Sequence, residues 1–303
     1  MHIPDGFLTN RVAVSLDLVS GAGILYTARR AKIDFSGRLV PVMGVLAAFV
    51  FAAQMLNFPI LGGTSGHLIG GSLLAIILGP LAGSLTMTTV ILAQALFLQD
   101  GGLVALGANI FNIGTITCFG GYAVFNLLGG RKENGKRLLL AGFLAGWLSV
   151  FISAGFCALE MGISGAIPLH IGLTAMLGYH SIVGIVEGML TAGVLSFLAK
   201  VRPDLMKMNG LSRFGVPEWI GSVLLVAVPA VILILAGSSG LPDPLQKLLA
   251  AHAPSFKIAA VSEMLSSTNR YADYMIRAGI FLLLIGLAFV ASRLGHHHRS
   301  DRP

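Results

Sequence analysis

Long apolar stretches recur from one end of the chain to the other, and they constrain its fold more than any other feature. A helix needs about 20 apolar residues to cross a hydrocarbon core of about 30 Å. Of the 303 residues, 55% are hydrophobic and 11% are charged, whereas a soluble domain carries roughly 25% charged residues. The sequence therefore predicts an all-α polytopic integral membrane protein. We predict nine spans, near residues 12–28, 39–56, 67–80, 84–98, 104–128, 138–159, 176–199, 218–237 and 274–293.

The basic residues indicate the orientation of these spans. The loops after the first, fifth and seventh spans, together with the C-terminus, hold 15 of the 20 Lys and Arg residues. With nine spans, all four groups fall on the same side, and the positive-inside rule makes that side the cytoplasm. The N-terminus and the loop before the third span are then outside. Because the net charge of +7 is spread over these groups instead of lying on one surface, we expect no nucleic-acid partner.

The N-terminal sequence MHIPDGF is a candidate metal-binding device. No basic region and apolar core precede a small-residue cleavage site, so we expect no cleaved signal peptide and a free amine on Met1. That amine, the backbone nitrogen of His2 and the His2 imidazole can enclose one metal ion in two fused chelate rings. Once the amide nitrogen loses its proton, the three nitrogens lie in a plane with one corner open, which suits Ni(II) and Cu(II) better than zinc. The alternative is that His2 is an ordinary residue in a frayed terminus.

His67, within LGGTSGHLIGG, is the candidate for the fourth corner. The predicted topology places it on the same outer side as Met1, and the glycines around it let the backbone approach another segment closely. The alternative is a hydrogen-bonded interfacial histidine at the start of a helix. Gln94, Asn109 and Asn112 are candidates to hydrogen bond the metal-bearing imidazoles.

MHIPDGFL, the apolar body and the Gly-rich loop around His67 together resemble the substrate-capture (S) subunits of nickel and cobalt energy-coupling-factor (ECF) transporters, the CbiM/NikM family. The resemblance covers about residues 1–205 and implies a seven-helix S-component bundle. It implies that Ni(II) or Co(II) is the transported ligand, bound on the outer face by the amine of Met1, the backbone nitrogen and imidazole of His2, and the imidazole of His67. A planar set of four nitrogens favours nickel over cobalt.

The resemblance also implies partners. In such transporters of the bacterial or archaeal cell membrane, a transmembrane coupling (T) subunit and two ATP-binding cassette ATPase subunits drive uptake. The one candidate phosphate-binding loop here, GRKENGK at residues 130–136, is followed by Arg137 where Ser or Thr is needed to hold magnesium. It also follows a predicted membrane helix instead of a strand. We therefore expect ATP hydrolysis in separate chains, and neither enzymatic activity nor a cofactor in this one.

Residues 217–295 resemble the small two-helix accessory subunit (NikN/CbiN-like) that some family members carry as a fusion. Its PDGLE motif corresponds here to Pro242-Asp243-Pro244-Leu245-Gln246, in which proline replaces the glycine and glutamine replaces the glutamate. We accordingly predict a metal-binding membrane domain (1–205), a cytoplasmic connector (206–216), the accessory unit with an external loop (217–295) and a cytoplasmic tail (296–303). The tail contains the run His296-His297-His298.

Ionisable residues within the predicted spans leave other functions open. Asp17, Glu160 and Glu187 lie in or near spans, where a charge tends to face a cavity or a partner. His180 and Glu187 are seven residues apart, which is two helical turns along one face. This pair could form a proton relay in a proton-coupled secondary metal transporter using Asp17, His180 and Glu187, or a hydrogen-bonded pair that orients the helices. A metal-sensing or structural membrane protein without flux is a third hypothesis.

Overall fold

The computed structural model describes residues 1–31, 39–60, 64–131, 135–208 and 243–252, and this part of the chain is mostly helical. Its elements are α1 (Asn10–Arg30), α2 (Leu39–Gln54), β1 (Phe58–Ile60), β2 (Thr64–Gly66), α3 (Gly71–Leu78), α4 (Pro80–Ala93), α5 (Leu106–Asn109), α6 (Gly121–Leu127), α7 (Gly135–Ile163), α8 (Leu169–Val201), α9 (Pro203–Met208) and α10 (Pro244–His252). Two π-helical segments complete them: π1 (Gln94–Leu98) extends α4, and π2 (Ile110–Gly120) joins α5 to α6. The predicted spans at 218–237 and 274–293 and the histidine run of the tail lie outside the described residues.

Four helices in the described part of the chain are long and apolar enough to cross a membrane. They are α4 with π1, the continuous helix from α5 to α6, α7, and α8. They occupy the positions of the fourth to seventh predicted spans, and they confirm a helical multi-pass membrane protein. Helices α1 and α2 occupy the positions of the first two predicted spans, although α2 has only 16 residues.

The third predicted span, 67–80, is wrong as a membrane-length helix. Only the eight residues Gly71–Leu78 are helical, and at 1.5 Å per residue they extend about 12 Å. Gly79, with a φ of 88°, ends α3, and Pro80 begins α4. A Cβ atom on Gly83 would lie 2.8 Å from the Cα atom of Ala75, so α4 runs back against α3. The chain therefore still reverses its direction here, as it would after a full span.

Helices α7 and α8 form an antiparallel pair whose backbones meet at small residues. A Cβ atom on Gly146 would lie 2.9 Å from the Cα atom of Gly188. Small residues at a crossing allow this close packing of membrane helices. The pair holds Glu187, the neighbour of Gly188, inside the bundle, where its side chain is buried.

The nine residues before α1, here called the N-terminal segment, are inserted into the bundle. Met1, Ile3 and Phe7 are 2%, 0% and 3% exposed, and they pack with the buried core of the helices. The short antiparallel ladder of β1 and β2 lies directly before His67. Two non-helical parts of the chain, the N-terminal segment and the segment from His67 to Gly70 (the His67 segment), therefore carry the two candidate histidines.

Candidate metal centre

The amine of Met1 and the imidazole of His67 meet inside the bundle, although 66 positions separate them in the sequence. The distance from the amine nitrogen to Nε2 of His67 is 3.1 Å. Nδ1 of the same ring lies 2.9 Å from the carbonyl oxygen of Leu68. Because a carbonyl oxygen only accepts, Nδ1 carries the ring proton, and the lone pair of Nε2 faces the amine.

The ring of His2 stacks on the ring of His67. The two centroids are 5.6 Å apart and the ring planes are inclined by 18°. His2 is 6% exposed, and its Nδ1 atom lies 3.4 Å from Oδ1 of Asp100 in the loop between π1 and α5. Its backbone N–H makes no hydrogen bond to any residue that the structure describes. All the nitrogens of the predicted chelate are therefore close to one another.

These nitrogens are the donor set that the described residues offer here. Within residues 1–31, 39–60, 64–131, 135–208 and 243–252, no group of three His, Cys, Asp or Glu side chains could hold a metal ion. A metal at this place would consequently be bound by the terminal amine and by backbone nitrogen as well as by imidazoles. The donor atoms of such a set are nitrogens and not carboxylate oxygens. Nitrogen donors suit nickel and copper.

Burial keeps the two imidazoles uncharged. Burial, together with the adjacent amine, lowers the pKa of His67 to about 3. Burial also lowers the pKa of His2, although the carboxylate of Asp100 opposes the change. For Asp243 burial acts to raise the pKa, but the terminal amine and nearby hydrogen bonds outweigh it and the pKa is lowered. At neutral pH both histidines therefore have the unprotonated form that a metal requires.

The backbone of Ile3 fixes the N-terminal segment to the end of α5. Ile3 N–H donates to Oδ1 of Asn109 at 2.7 Å, and Nδ2 of Asn109 donates to the carbonyl oxygen of Ile3 at 3.0 Å. The same carbonyl accepts the N–H of Gly102 at 2.9 Å. The side chain of Asn109 thus takes the place of a neighbouring strand beside the residue that follows His2.

A second anchor is the carboxylate of Asp5. Its Oδ1 accepts the N–H groups of Val104 and Ala105 at 2.8 and 3.2 Å, and its Oδ2 accepts the N–H of Leu103 at 3.0 Å. A Cβ atom on Gly102 would overlap Oδ1 and the backbone nitrogen of Asp5, so only glycine allows this approach. The Asp of MHIPDGF therefore holds the chelating residues against the loop that contains Asp100.

The His67 segment is anchored by Glu187 of α8. The N–H groups of Ile69 and Gly70 donate to Oε2 and Oε1 of Glu187 at 2.8 and 2.6 Å. Charge-assisted hydrogen bonds of this kind are among the stronger ones in proteins. This carboxylate ties the backbone next to His67 to the rigid α7–α8 pair.

The residues of the predicted proton relay have separate partners. Nδ1 of His180 bonds the carbonyl oxygen of Met176 at 2.8 Å within α8, and Oδ1 of Asp17 accepts the N–H of Gly107 at 2.9 Å. No hydrogen bond joins His180 to Glu187 in the part of the chain described here. The three groups do not form one continuous path among the described residues.

The three amides predicted to hydrogen bond the imidazoles differ in position. Asn109 binds the backbone of Ile3, as described above. Asn112 donates to Oε2 of Glu160 at 2.6 Å, so both of these amides have partners other than the histidines. Nε2 of Gln94 donates to Oε1 of Gln54 at 2.7 Å, whereas Oε1 of Gln94 and Nε2 of His2 are both buried without a hydrogen-bond partner among the described residues. Of the three, Gln94 alone remains a candidate partner of an imidazole.

The C-terminal unit reaches the centre through Asp243. The terminal amine of Met1 donates to Oδ2 of this carboxylate at 3.4 Å. The N–H of Gln246 donates to Oδ1 of Asp243 at 2.7 Å, and Asp243 N–H donates to Oε1 of Gln246 at 3.0 Å. This reciprocal capping box, with Pro244 at the first position of α10, is an efficient helix start. Proline and glutamine, which replace the glycine and glutamate of the PDGLE motif, are both compatible with it.

The family profile described as the cobalt uptake substrate-specific transmembrane region, CbiM, matches residues 2–205. The chain belongs to the CbiM family. The match contains the N-terminal segment from His2 onward, the His67 segment and Glu187. It ends close to the boundary at residue 205 that the sequence predicts for the first domain.

Some relatives of this CbiM-family chain match about two thirds of it, and others match almost all of it. A Haloquadratum walsbyi protein assigned to metal transport is 45% identical over 208 residues, which are 68% of this chain and 93% of that protein. A fused nickel transport protein, NikMN, assigned in Archaeoglobus fulgidus is 35% identical and covers 97% of this chain and 98% of its own length. A crystal structure of a truncated transition metal transporter is 33% identical, has a TM-score of 0.60, and covers 65% of this chain and 98% of its own. These findings confirm the resemblance to CbiM/NikM proteins with a fused accessory unit.

Sequence reasoning missed several residues that build the centre. Asp5 lies within the MHIPDGF motif, yet its partners are 98–100 positions away, and no local sequence pattern predicts these contacts. No sequence pattern indicates that Asp100 and Gln54 lie near the centre either. Asp243 was noticed as part of a motif, but nothing in the sequence related it to the terminal amine.

Proposed function

We propose that this chain is the substrate-binding membrane subunit of an ATP-driven nickel or cobalt uptake transporter. In this role the amine of Met1, the backbone nitrogen and Nδ1 of His2, and Nε2 of His67 hold the ion. The observation that carries the proposal is the meeting of the terminal amine and the His67 imidazole beside the stacked His2 ring, inside the bundle.

The distance between the amine and Nε2 supports a planar four-nitrogen site. Metal–nitrogen bonds of about 2.0–2.1 Å place neighbouring corners of a square about 2.8–3.0 Å apart and opposite corners about 4 Å apart. In the chelate formed by the first two residues, the amine and Nδ1 of His2 are the two ends, so the fourth nitrogen must lie next to the amine. The separation of 3.1 Å between Met1 N and His67 Nε2 fits that neighbouring corner. Because a planar nitrogen field suits Ni(II) better than Co(II), nickel is the preferred cargo.

The proposed partners are a transmembrane coupling subunit and two ATP-binding cassette ATPases. Support comes from the resemblance of the first 205 residues to ECF capture subunits, and from relatives whose names assign them to nickel or cobalt transport. In this arrangement the chain captures the ion, and ATP hydrolysis in the partner subunits drives its release. The nickel relative of full length supports a fused accessory unit over residues 217–295.

The proposed orientation places the N-terminus outside and the C-terminus in the cytoplasm. The four basic groups of the sequence support it through the positive-inside rule. The connector at 206–216 and the tail at 296–303 are then cytoplasmic. Alkylation of single cysteines introduced at Thr9 and at Lys207, by a reagent that does not cross the membrane, tests it. We expect labelling of intact cells at the first position only, and the reverse pattern would refute the orientation.

Moving the terminal amine by one residue tests the metal site directly. A glycine placed before Met1 keeps every side chain but shifts the amine by about 3.3–3.6 Å along the chain. We expect nickel affinity, measured by isothermal titration of the full chain in nanodiscs, to fall by more than the 10–100-fold typical for loss of a ligand's hydrogen-bond partner. His67→Ala removes the fourth corner and should have a similar effect.

The matched control is His170→Ala, because His170 is an exposed histidine near the start of α8. Its affinity for nickel should equal that of the unmodified chain. Mass spectrometry of the purified chain should find Met1 at its N-terminus. Unchanged affinity after the glycine extension would refute the role of the amine, and intact tight binding in His67→Ala would refute the fourth ligand.

A further inference from the structure

The two carboxylate oxygens of Asp243 have different partners. Oδ1 accepts the N–H of Gln246 at 2.7 Å and caps α10. Oδ2 lies 3.4 Å from the terminal amine of Met1, which is its only hydrogen-bond partner among the described residues. The side chain of Asp243 is 14% exposed, and that of Met1 is fully buried. One oxygen therefore serves the helix, and the other serves the amine of the proposed chelate.

Burial of α10 keeps the carboxylate in this place. Leu245 and Leu249 are 1% and 0% exposed and pack with the buried core of the helices. A carboxylate that turned away would leave the N–H of Gln246 without its cap, and loss of an N-cap costs about 1 kcal/mol. The position of Oδ2 beside the amine is therefore set by the packing and capping of α10.

Metal binding would change the partners of the amine. In the metal-free structure its described partners are Nε2 of His67 at 3.1 Å and Oδ2 of Asp243. A metal-bound amine uses its lone pair on the ion and keeps two N–H groups. Nε2 of His67 would also direct its lone pair to the ion, so it could no longer accept from the amine. Among the described residues, Oδ2 of Asp243 then remains as the acceptor for a buried N–H, which is costly to leave unpaired.

The charge of the proposed site favours the same role. A divalent ion, two neutral imidazoles, a neutral amine and one deprotonated backbone nitrogen together carry one positive charge. An unpaired charge in a buried site is costly. The carboxylate of Asp243, next to the amine, brings the net charge to zero.

We infer that Asp243 is a positioning residue for the captured ion: its Oδ2 accepts an N–H of the metal-bound amine and balances the remaining positive charge. This inference rests on the proposed function, since the amine is one of the four nitrogens assigned there. Metal ligands commonly donate their remaining N–H to a carboxylate or carbonyl oxygen, which fixes their orientation. Because Asp243 lies in the proposed accessory unit, that unit contributes to metal affinity through this side chain.

Asp243→Asn is the diagnostic substitution. Asparagine is also a good N-cap, and its Oδ1 must accept the N–H of Gln246, so an amide nitrogen that only donates would face the amine. We expect the nickel affinity of the full chain in nanodiscs to fall about 10–100-fold. Asp204→Asn, the same change at an exposed side chain in the first turn of α9, is the matched control and should bind nickel as the unmodified chain does.

Combination with the glycine extension separates positioning from a purely structural role. Once the amine has moved away from the chelate, Asp243→Asn should lose far less affinity than it does in the unmodified background, because it acts through the amine. A structural role would give the same factor in both backgrounds. Equal factors, or unchanged affinity in Asp243→Asn alone, would overturn the inference. Asp243→Ser keeps a cap oxygen but is too short to reach the amine, and it serves if Asp243→Asn does not fold.

X-ray absorption at the nickel K-edge provides a readout that does not depend on affinity. Planar four-coordinate nickel has a distinct pre-edge feature, which a fifth ligand suppresses. We expect this feature in the unmodified chain and in Asp243→Asn, whereas suppression that requires Asp243 would make the carboxylate a direct ligand and overturn the inference. Unchanged affinity after the glycine extension would refute the proposed site itself. If the extension weakens binding and Asp243→Asn does not, only the role of Asp243 is refuted.

Discussion

Replacement of Asn109 by alanine should release the N-terminal segment, and the structure sets the size of the effect. The carbonyl oxygen of Ile3 would keep the N–H of Gly102 at 2.9 Å, so it loses little. The N–H of Ile3, which donates to Asn109 at 2.7 Å, would remain buried without an acceptor. Such a group costs about 1–3 kcal/mol, which corresponds to roughly 5–150-fold in the population of the docked segment.

Two measurements on the full chain in nanodiscs follow this change. Hydrogen–deuterium exchange of the first peptide should accelerate by roughly 5–150-fold, and nickel affinity should fall by up to that factor, because only the docked segment binds. Asn126→Ala is the matched control: Asn126 accepts from Arg131 at 2.6 Å near the far end of α6, away from the centre. Equal exchange rates in the two variants, or an affinity for nickel unchanged in Asn109→Ala, would refute the anchoring role of Asn109.

Three further outcomes are expected. In Gly102→Ala the added methyl overlaps Asp5, at a cost of about 1–3 kcal/mol, so exchange of the first peptide should accelerate, whereas Gly120→Ala, with open space around its Cα, should not change it. In Glu187→Ala the buried N–H groups of Ile69 and Gly70, within the His67 segment, lose their acceptor at about 1–3 kcal/mol each, so the thermal midpoint and nickel affinity should both decrease; a midpoint equal to that of the unmodified chain would contradict this role. In vesicles with the coupling and ATPase subunits, nickel should accumulate only with ATP, and accumulation that follows a proton gradient after ATP depletion would support the secondary-transporter alternative.

The membrane helices and the histidine pair could be predicted from the sequence for different reasons. Apolar length is a local property, so α4 through α8 follow from runs of residues that a reader can count. The chelate chemistry of a terminal amine, an amide and an imidazole predicts one open corner for a distant nitrogen, and the predicted topology together with the family resemblance indicates His67 for that corner. Neither inference required knowledge of how the helices pack.

The remaining parts of the centre depend on contacts between distant backbone groups. Asn109 was expected to face an imidazole, yet its side chain makes two hydrogen bonds with the backbone of Ile3. Glu187 looked like a member of a proton path, but two backbone N–H groups of the His67 segment are its partners. The apolar run at 67–80 has the composition of a span, and the turn at Gly79 limits its helix to α3. Hydrogen bonds across about 100 positions have no signature in the spacing of residues.

The contact of Asp243 with the terminal amine relates the two predicted regions of the chain. The positive-inside rule, applied to basic residues far from both segments, predicts that the N-terminus and the external loop of the accessory unit lie on the same side of the membrane. Asp243 belongs to that loop, and a carboxylate 3.4 Å from the amine of Met1 must lie on the same side as the amine. The capping box with Gln246 holds this carboxylate at the start of α10. The N-terminus of α10 therefore contacts the candidate metal centre through Asp243. The candidate metal centre is therefore bordered by the N-terminal segment, the His67 segment and the start of α10, and the proposed accessory unit contributes a carboxylate beside the proposed amine ligand.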